Sequence, residues 1–299
     1  MPRPDPRLIP TAAGPIESQV VDASLVAQHA PVLPPVLALH GGMGGHDQGL
    51  LLAQAALPDW RFHRVIAPSR PGYFGTPLVG GESPVQQADR HAALLDALGV
   101  ERALVMAVSA GGPGALHFAQ RYPDRCAGLV LVSACTDTLE PPPRMRERLP
   151  QMQRLARYPW LLAPMRWRVQ LNPDSAARRS ITDPALRRAT LADPVAGPLL
   201  RELLVGSLTQ VDRRMAGTIN DMEQCARVGA IPVDDLTMPV LVLHGTDDPV
   251  VPLAQGERVA QEAPSADLVP LQGGGHVALF THVRVVRAAV SGLLERVWS

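Results

Sequence analysis

RALVMAVSAGGPGALHFAQRYP, Arg102 to Pro123, is the stretch that decides the fold. Its first half is a continuous apolar run up to Val108, the composition of a strand covered on both faces, which is the setting of a parallel sheet rather than of a sheet with one wet side. Its second half has the composition of a helix that ends at the Tyr122-Pro123 pair. Between the halves lies AVSAGG, Ala107 to Gly112, where the small Ala107 and Gly111 stand two positions either side of Ser109. Small neighbours allow a tight strand-to-helix turn with the hydroxyl outward, and Pro113 fits the first helical turn, whose amides have no intrahelical partner.

The same alternation repeats outward from this unit. PVLALH (Pro35–His40), HRVIAPS (His63–Ser69), AGLVLVSA (Ala127–Ala134), MPVLVLHG (Met238–Gly245) and ADLVPL (Ala266–Leu271) read as strands. DQGLLLAQAALPDW has helical composition up to Pro58. Ala88, His91, Ala92, Leu95 and Leu98 form one helical face that Gly99 ends, and a closing helix is expected over about Val277–Val297. The fold class is therefore α/β, a mostly parallel central sheet with helices on both faces. From Asp137 to about Val233 the chain holds helix-like pieces rich in Pro, Arg and Met and no comparable strand. This is an excursion from the sheet, so the expected organisation is a core of residues 1–136 and 234–299 interrupted by an insertion over 137–233.

Composition narrows the function. Lys+Arg and Asp+Glu both number 28 in 299 residues, which gives no global attraction to nucleic acid or anionic membrane. All the basic residues counted are arginine, which removes Schiff-base and phosphate-loop lysines. Cys126, Cys135 and Cys225 are scattered without CxxC spacing, as suits a reducing compartment and no thiolate metal site. The proline-rich start lacks a signal-type apolar segment, and no later stretch is long and apolar enough to span a membrane. A cytoplasmic protein without stable membrane insertion is expected; oligomeric state is left open.

A serine hydroxyl becomes a nucleophile only when a base takes its proton. Among nine histidines, His276 stands out in LQGGGHVALF, where three glycines bring an imidazole to the sheet edge. HGTDDPVVP offers Asp247 and Asp248 at another strand end, either of which can hold that imidazole in the useful tautomer. LHGGMGGHDQG, Leu39 to Gly49, supplies backbone amides for an oxyanion. Gly42 and Ala110 are the expected donors, with Met43 competing for the first position. His40 is assigned to shaping that turn. No histidine pair has HExxH spacing, so no metal or other cofactor is expected.

These segments, in this order, resemble the α/β-hydrolase superfamily, in its capped esterase, proline-iminopeptidase and carbon–carbon hydrolase-like branches, over about Ile16 to Val297. HGGMGG corresponds to the family's oxyanion segment and SRPGYFGT to its proline-glycine loop. AVSAGG corresponds to the nucleophile elbow, with Ala107 where the first glycine is more frequent. The resemblance implies Ser109, Asp248 and His276 as the triad, in the family's chain order. Asp248 is selected because the family's acid lies three positions after the strand-ending glycine, here Gly245; Asp247 is left as its neighbour and Asp137 as a reserve acid.

The resemblance also implies that the insertion is a helical cap over the serine, excluding water and selecting substrate by shape. Met43, Trp160 and Trp167 are the expected pocket residues, and Met145, Met152, Tyr158, Leu161, Leu162 and Met165 line the pocket or fill the cap's own core. Between Arg144 and Arg188 eleven arginines face only Glu147, Asp174 and Asp183, a local positive field. The expected activity is hydrolysis of a small-molecule carboxylic ester through an acyl-enzyme. The alternatives are carbon–carbon bond hydrolysis, aminopeptidase action, or ligand binding without catalysis.

Overall fold

The computed structural model describes residues 4–22, 33–141 and 143–298. Met145 lies outside the residues whose side chains are described. The sheet has eight strands: β1 (Arg7–Ile9), β2 (Ile16–Val21), β3 (Leu33–Leu39), β4 (His63–Pro68), β5 (Ala103–Val108), β6 (Cys126–Val132), β7 (Val240–Gly245) and β8 (Ala266–Leu271). Their spatial order is β1-β2-β4-β3-β5-β6-β7-β8. β1 and β2 are antiparallel to their neighbours, and every pairing from β4 to β8 is parallel.

Side chains along the central strands alternate between two covered faces. Leu37, Leu39, Val105, Ala107, Leu129, Leu131, Val240 and Val242 pack with α2 (Pro84–Ala97), α3 (Gly112–Arg121) and α10 (Leu253–Glu262). The intervening Val36, Ala38, Leu104, Met106, Val130, Val132, Leu241 and Leu243 pack with α1 (His46–Ala56) and α12 (Val283–Val297), the latter preceded by the short α11 (Ala278–Thr281). Both faces of a central strand are dry, which is why it reads as an unbroken apolar run. Each Leu or Val side chain so buried contributes about 1.5–3 kcal/mol.

Between β6 and β7 the chain leaves the sheet and forms a helical cap: α4 (Pro143–Ala156), α5 (Ala163–Leu171), α6 (Pro173–Ala177), α7 (Pro184–Ala192), α8 (Ala196–Gly206) and α9 (Asp212–Cys225). The outgoing and returning segments bond to each other, Leu139 N to Cys225 O at 2.8 Å and Ile231 N to Thr136 O at 3.1 Å. A small cap core joins Ala156, Leu162, Val211 and Met215, with Met152 and Met43 packed against it. α9 is also tied to the core. Buried Arg70 bonds both carboxylate oxygens of Asp221, and the Tyr73 hydroxyl donates to the same carboxylate. Among the described residues no helix is long and apolar enough to cross a membrane.

Candidate active site

The parallel strands deliver their carboxyl ends to one edge, the usual place for a site in such a sheet. Ser109 follows β5 directly and has φ 54°, a left-handed conformation that costs a non-glycine residue energy and turns its side chain out of the sheet. One 3-10 turn, Ser109–Gly111, then leads into α3. Gly41, just past β3, lies against this turn: a Cβ there would fall 2.9 Å from the Ser109 Cβ. Any side chain at 41 would push the two loops apart.

Ser109 Oγ stands 3.1 Å from His276 Nε2. On the other side of the ring, Nδ1 lies 2.9 Å from Asp248 Oδ2 and 3.2 Å from Oδ1. A carboxylate can only accept, so Nδ1 carries the proton and Nε2 presents its lone pair to the serine hydroxyl. The Asp248 side chain is closed to solvent and the His276 side chain about one quarter exposed, at 0% and 26%. Burial works to raise the Asp248 carboxyl; the His276 ring and the Val250 and Val251 amides outweigh it and hold the group below the ordinary carboxylate range. The loops carrying the two residues cross at Gly245, where a Cβ would meet the Gly274 carbonyl oxygen at 2.2 Å. Asp247 N donates to Gly274 O at 3.0 Å, fixing that crossing.

The other acids stand elsewhere. The exposed Asp247 carboxylate accepts from the Thr246 hydroxyl. Asp137 accepts from the Thr138 amide in its own turn. His40 is fully buried: Arg70 N–H donates to its Nε2 at 2.9 Å, so Nδ1 carries the proton and donates to Gly41 O at 2.7 Å. Burial, then Arg70, pushes the His40 pKa far down and keeps the ring neutral. It shapes the turn after β3.

A cavity of about 240 Å3 contains Ser109 and His276. Gly41, Gly42, Gln48, Ser180 and Ser207 line it, and Leu51, Leu52, Val108, Leu203, Leu204, Val277, Leu279 and Phe280 make most of its wall apolar. Trp160 and Trp167 are not on this wall; they stand on the outer surface of the cap, 68% and 65% exposed. Trp160 belongs to the 3-10 turn Pro159–Leu162 and Trp167 to α5, and neither ring joins the small cap core. Met43 is turned into the small cap core instead. The sequence reading did not single out Leu203, Leu204 or Phe280. The available signal was the paired leucines of α8, at Leu199–Leu200 and Leu203–Leu204, which mark one face of a helix. Among the described residues no group of three or more His, Cys, Asp or Glu side chains is placed to hold a metal ion.

A family model described as alpha/beta hydrolase fold matches residues 34–283, a span that includes all three loops. The chain belongs to the α/β-hydrolase family. As an α/β-hydrolase it is 30% identical, over 271 residues, to a pimeloyl-[acyl-carrier protein] methyl ester esterase of Aromatoleum aromaticum, covering 83% of this chain and 93% of that one. It is 27% identical, over 243 residues and 78% of each chain, to a 2-hydroxy-6-oxononadienedioate/2-hydroxy-6-oxononatrienedioate hydrolase of a Pseudomonas species. An α/β-hydrolase fold protein from Nakamurella multipartita superposes with a TM-score of 0.80 at 30% identity, covering 99% of this chain and 100% of that one. On this α/β-hydrolase fold the hydrogen-bonded Ser109–His276 pair is serine-hydrolase machinery.

Proposed function

We propose that the protein hydrolyses a carboxylic ester of a small molecule through an acyl-enzyme. Ser109 is the nucleophile, His276 the base, Asp248 the residue that orients the ring, and the Gly42 and Ala110 amides the oxyanion donors. The observation that carries this reading is the Ser109 hydroxyl, held on a left-handed turn 3.1 Å from His276 Nε2 and facing a mostly apolar cavity. His276 takes the serine proton as Oγ attacks the carbonyl carbon and gives it to the departing alcohol. It then activates the water that clears the acyl group. The Met43 amide is bonded to Thr218 Oγ1, which favours Gly42 over Met43 as donor. One such donor is worth about 2.7–4 kcal/mol in the transition state.

The apolar wall suits an acyl chain of modest length. The insertion, taken as residues 137–233, supplies Ser180, Leu203, Leu204 and Ser207 to that wall and so acts as the cap that sets substrate shape. The ester preference is in line with the esterase name of the Aromatoleum relative. Carbon–carbon hydrolysis of an acidic substrate is the second reading, favoured by a neighbouring cavity of about 540 Å3 that holds Arg168 and Arg179 and shares Ser180, Leu204 and Ser207 with the serine cavity. A cytoplasmic setting is part of the proposal, supported by three free, buried thiols.

A fluorophosphonate probe tests the nucleophile without knowledge of the substrate. The wild-type protein is expected to be labelled, Ser109→Ala not at all, and His276→Ala at least about a hundredfold more slowly. Labelling that persists in Ser109→Ala removes Ser109 from the assignment. Turnover of short-chain esters against vinylogous diketones and peptide amides then separates the two readings from aminopeptidase action.

A further inference from the structure

The turn Gly41–Gly45 has left the sheet, since β3 ends at Leu39, and its backbone groups need partners from outside the strand ladder. His40 Nδ1 serves Gly41 O and the Gln48 side chain donates to Met43 O, while one face of α9 supplies the partner of Met43 N, that of Gly44 O and a second donor to Met43 O. Arg214, Thr218 and Asp221 lie at i, i+4 and i+7 and so point the same way. Thr218 Oγ1 accepts the Met43 N–H at 3.1 Å while donating its own proton to Arg214 O at 2.9 Å. Arg214 Nη1 donates to Gly44 O at 2.8 Å and to Met43 O at 3.2 Å, and Nη2 donates to Asp47 at 2.6 Å. Asp221 holds Arg70, whose Nε donates to His40 O at 2.8 Å. Arg214 and Asp221 are almost wholly buried, so water does not compete for these bonds.

We infer that α9, though part of the cap, positions the oxyanion site, and that Thr218 and Arg214 are positioning residues for catalysis. Met43 has φ 54°, a conformation that the bonds on both sides of it maintain. Holding Met43 there fixes the peptide before it, which carries Gly42. Among the described residues the Gly42 amide hydrogen has no acceptor, which leaves it free for a substrate oxygen. A donor displaced by about 1 Å costs on the order of a hundredfold in rate, so a hydroxyl that never touches substrate controls turnover through this turn.

This inference rests on the serine-hydrolase reading with Gly42 as donor. Thr218→Val keeps the shape and removes the acceptor; Thr218→Ser keeps the acceptor. In Thr218→Val, kcat and the second-order fluorophosphonate labelling rate are expected to fall together by about ten- to a hundredfold, with KM within about twofold. Thr218→Ser recovers both rates to within about threefold of wild type. Rates in Thr218→Val within about threefold of wild type, a loss confined to KM, or a serine variant as slow as the valine one overturns the inference. Amide exchange in the wild-type protein reads the same bond without a substitution: the Met43 N–H is protected and that of Gly42 exchanges freely. Equal exchange at the two amides also overturns it. A wild-type protein that the probe does not label defeats the hydrolase reading instead, which separates the two failures.

Discussion

Asp247 and Asp248 are adjacent and chemically identical, yet one is exposed beside Thr246 and the other is closed to solvent beneath His276. What separates them is the direction of the chain as it leaves β7. Asp247 N is engaged by Gly274 O, and the next side chain turns inward to accept from Val250 and Val251. The residues alone leave both aspartates open, because either lies in a loop at a strand end; the family spacing from Gly245 is what pointed to Asp248. Asp248→Asn is expected to lower kcat by about 10^3–10^4-fold, since an amide can donate to Nδ1 and favour the wrong tautomer. Asp247→Asn is expected to change it by less than about threefold. Steady-state ester hydrolysis measures both, and equal losses would return the acid assignment to the pair.

At the scale of elements, the central strands were legible because burial on both faces leaves no polar residue to break the run. The β1–β2 hairpin was not. Its strands of 3 and 6 residues mix Arg, Glu, Ser and Gln with apolar residues, and their place is set by pairing with β4. A single closing helix is what the sequence predicts over about Val277–Val297; the structure divides it at His282, whose φ of −122° leaves the helical range although its N–H still donates to Ala278 O.

One buried group on α2 gives the helix pair α2–α3 a pH response. His91 is fully buried, neither ring nitrogen has a partner among the described residues, and burial, followed by Arg70 and Arg90, pushes its pKa down to about 3. The unfolded value is about 6.5, so between these limits the unfolded chain binds the extra proton. Stability is full above about pH 6.5 and falls as pH drops, by about 2 kcal/mol at pH 5 for one such group. His91→Leu is therefore expected to flatten the acid side of the stability profile by about that amount. Urea unfolding at about pH 7.5 and about pH 5 measures it, and parallel losses in the two proteins would show that His91 does not carry the effect.

Over the whole molecule the charges cancel, but their placement does not. Asp174 pairs with Arg178 and Arg187, whereas Arg168 and Arg179 line the cavity next to the serine cavity. The excess of arginine in this region was legible by counting; which guanidiniums line that neighbouring cavity was not, because α5, α6 and α7 are short, carry proline at their first or second position and are set by packing against one another. An ester with an anionic tail is expected to lose kcat/KM more steeply with added salt than its neutral analogue. Replacing both Arg168 and Arg179 by alanine is expected to bring the two salt slopes together. Equal slopes in the wild-type protein would remove steering from the account.

The neighbouring exit and return of the chain between β6 and β7, bonded to each other at Leu139–Cys225 and Ile231–Thr136, make the excursion look like a cassette that could be exchanged whole between homologous enzymes. The grip of its last helix on the turn after β3 argues for a different seam. A recombinant that takes foreign sequence only up to Gln210 or Val211 would acquire new pocket walls and keep the native scaffold of the reaction centre. One spliced at the sheet itself would inherit selectivity and lose the support that makes the chemistry run.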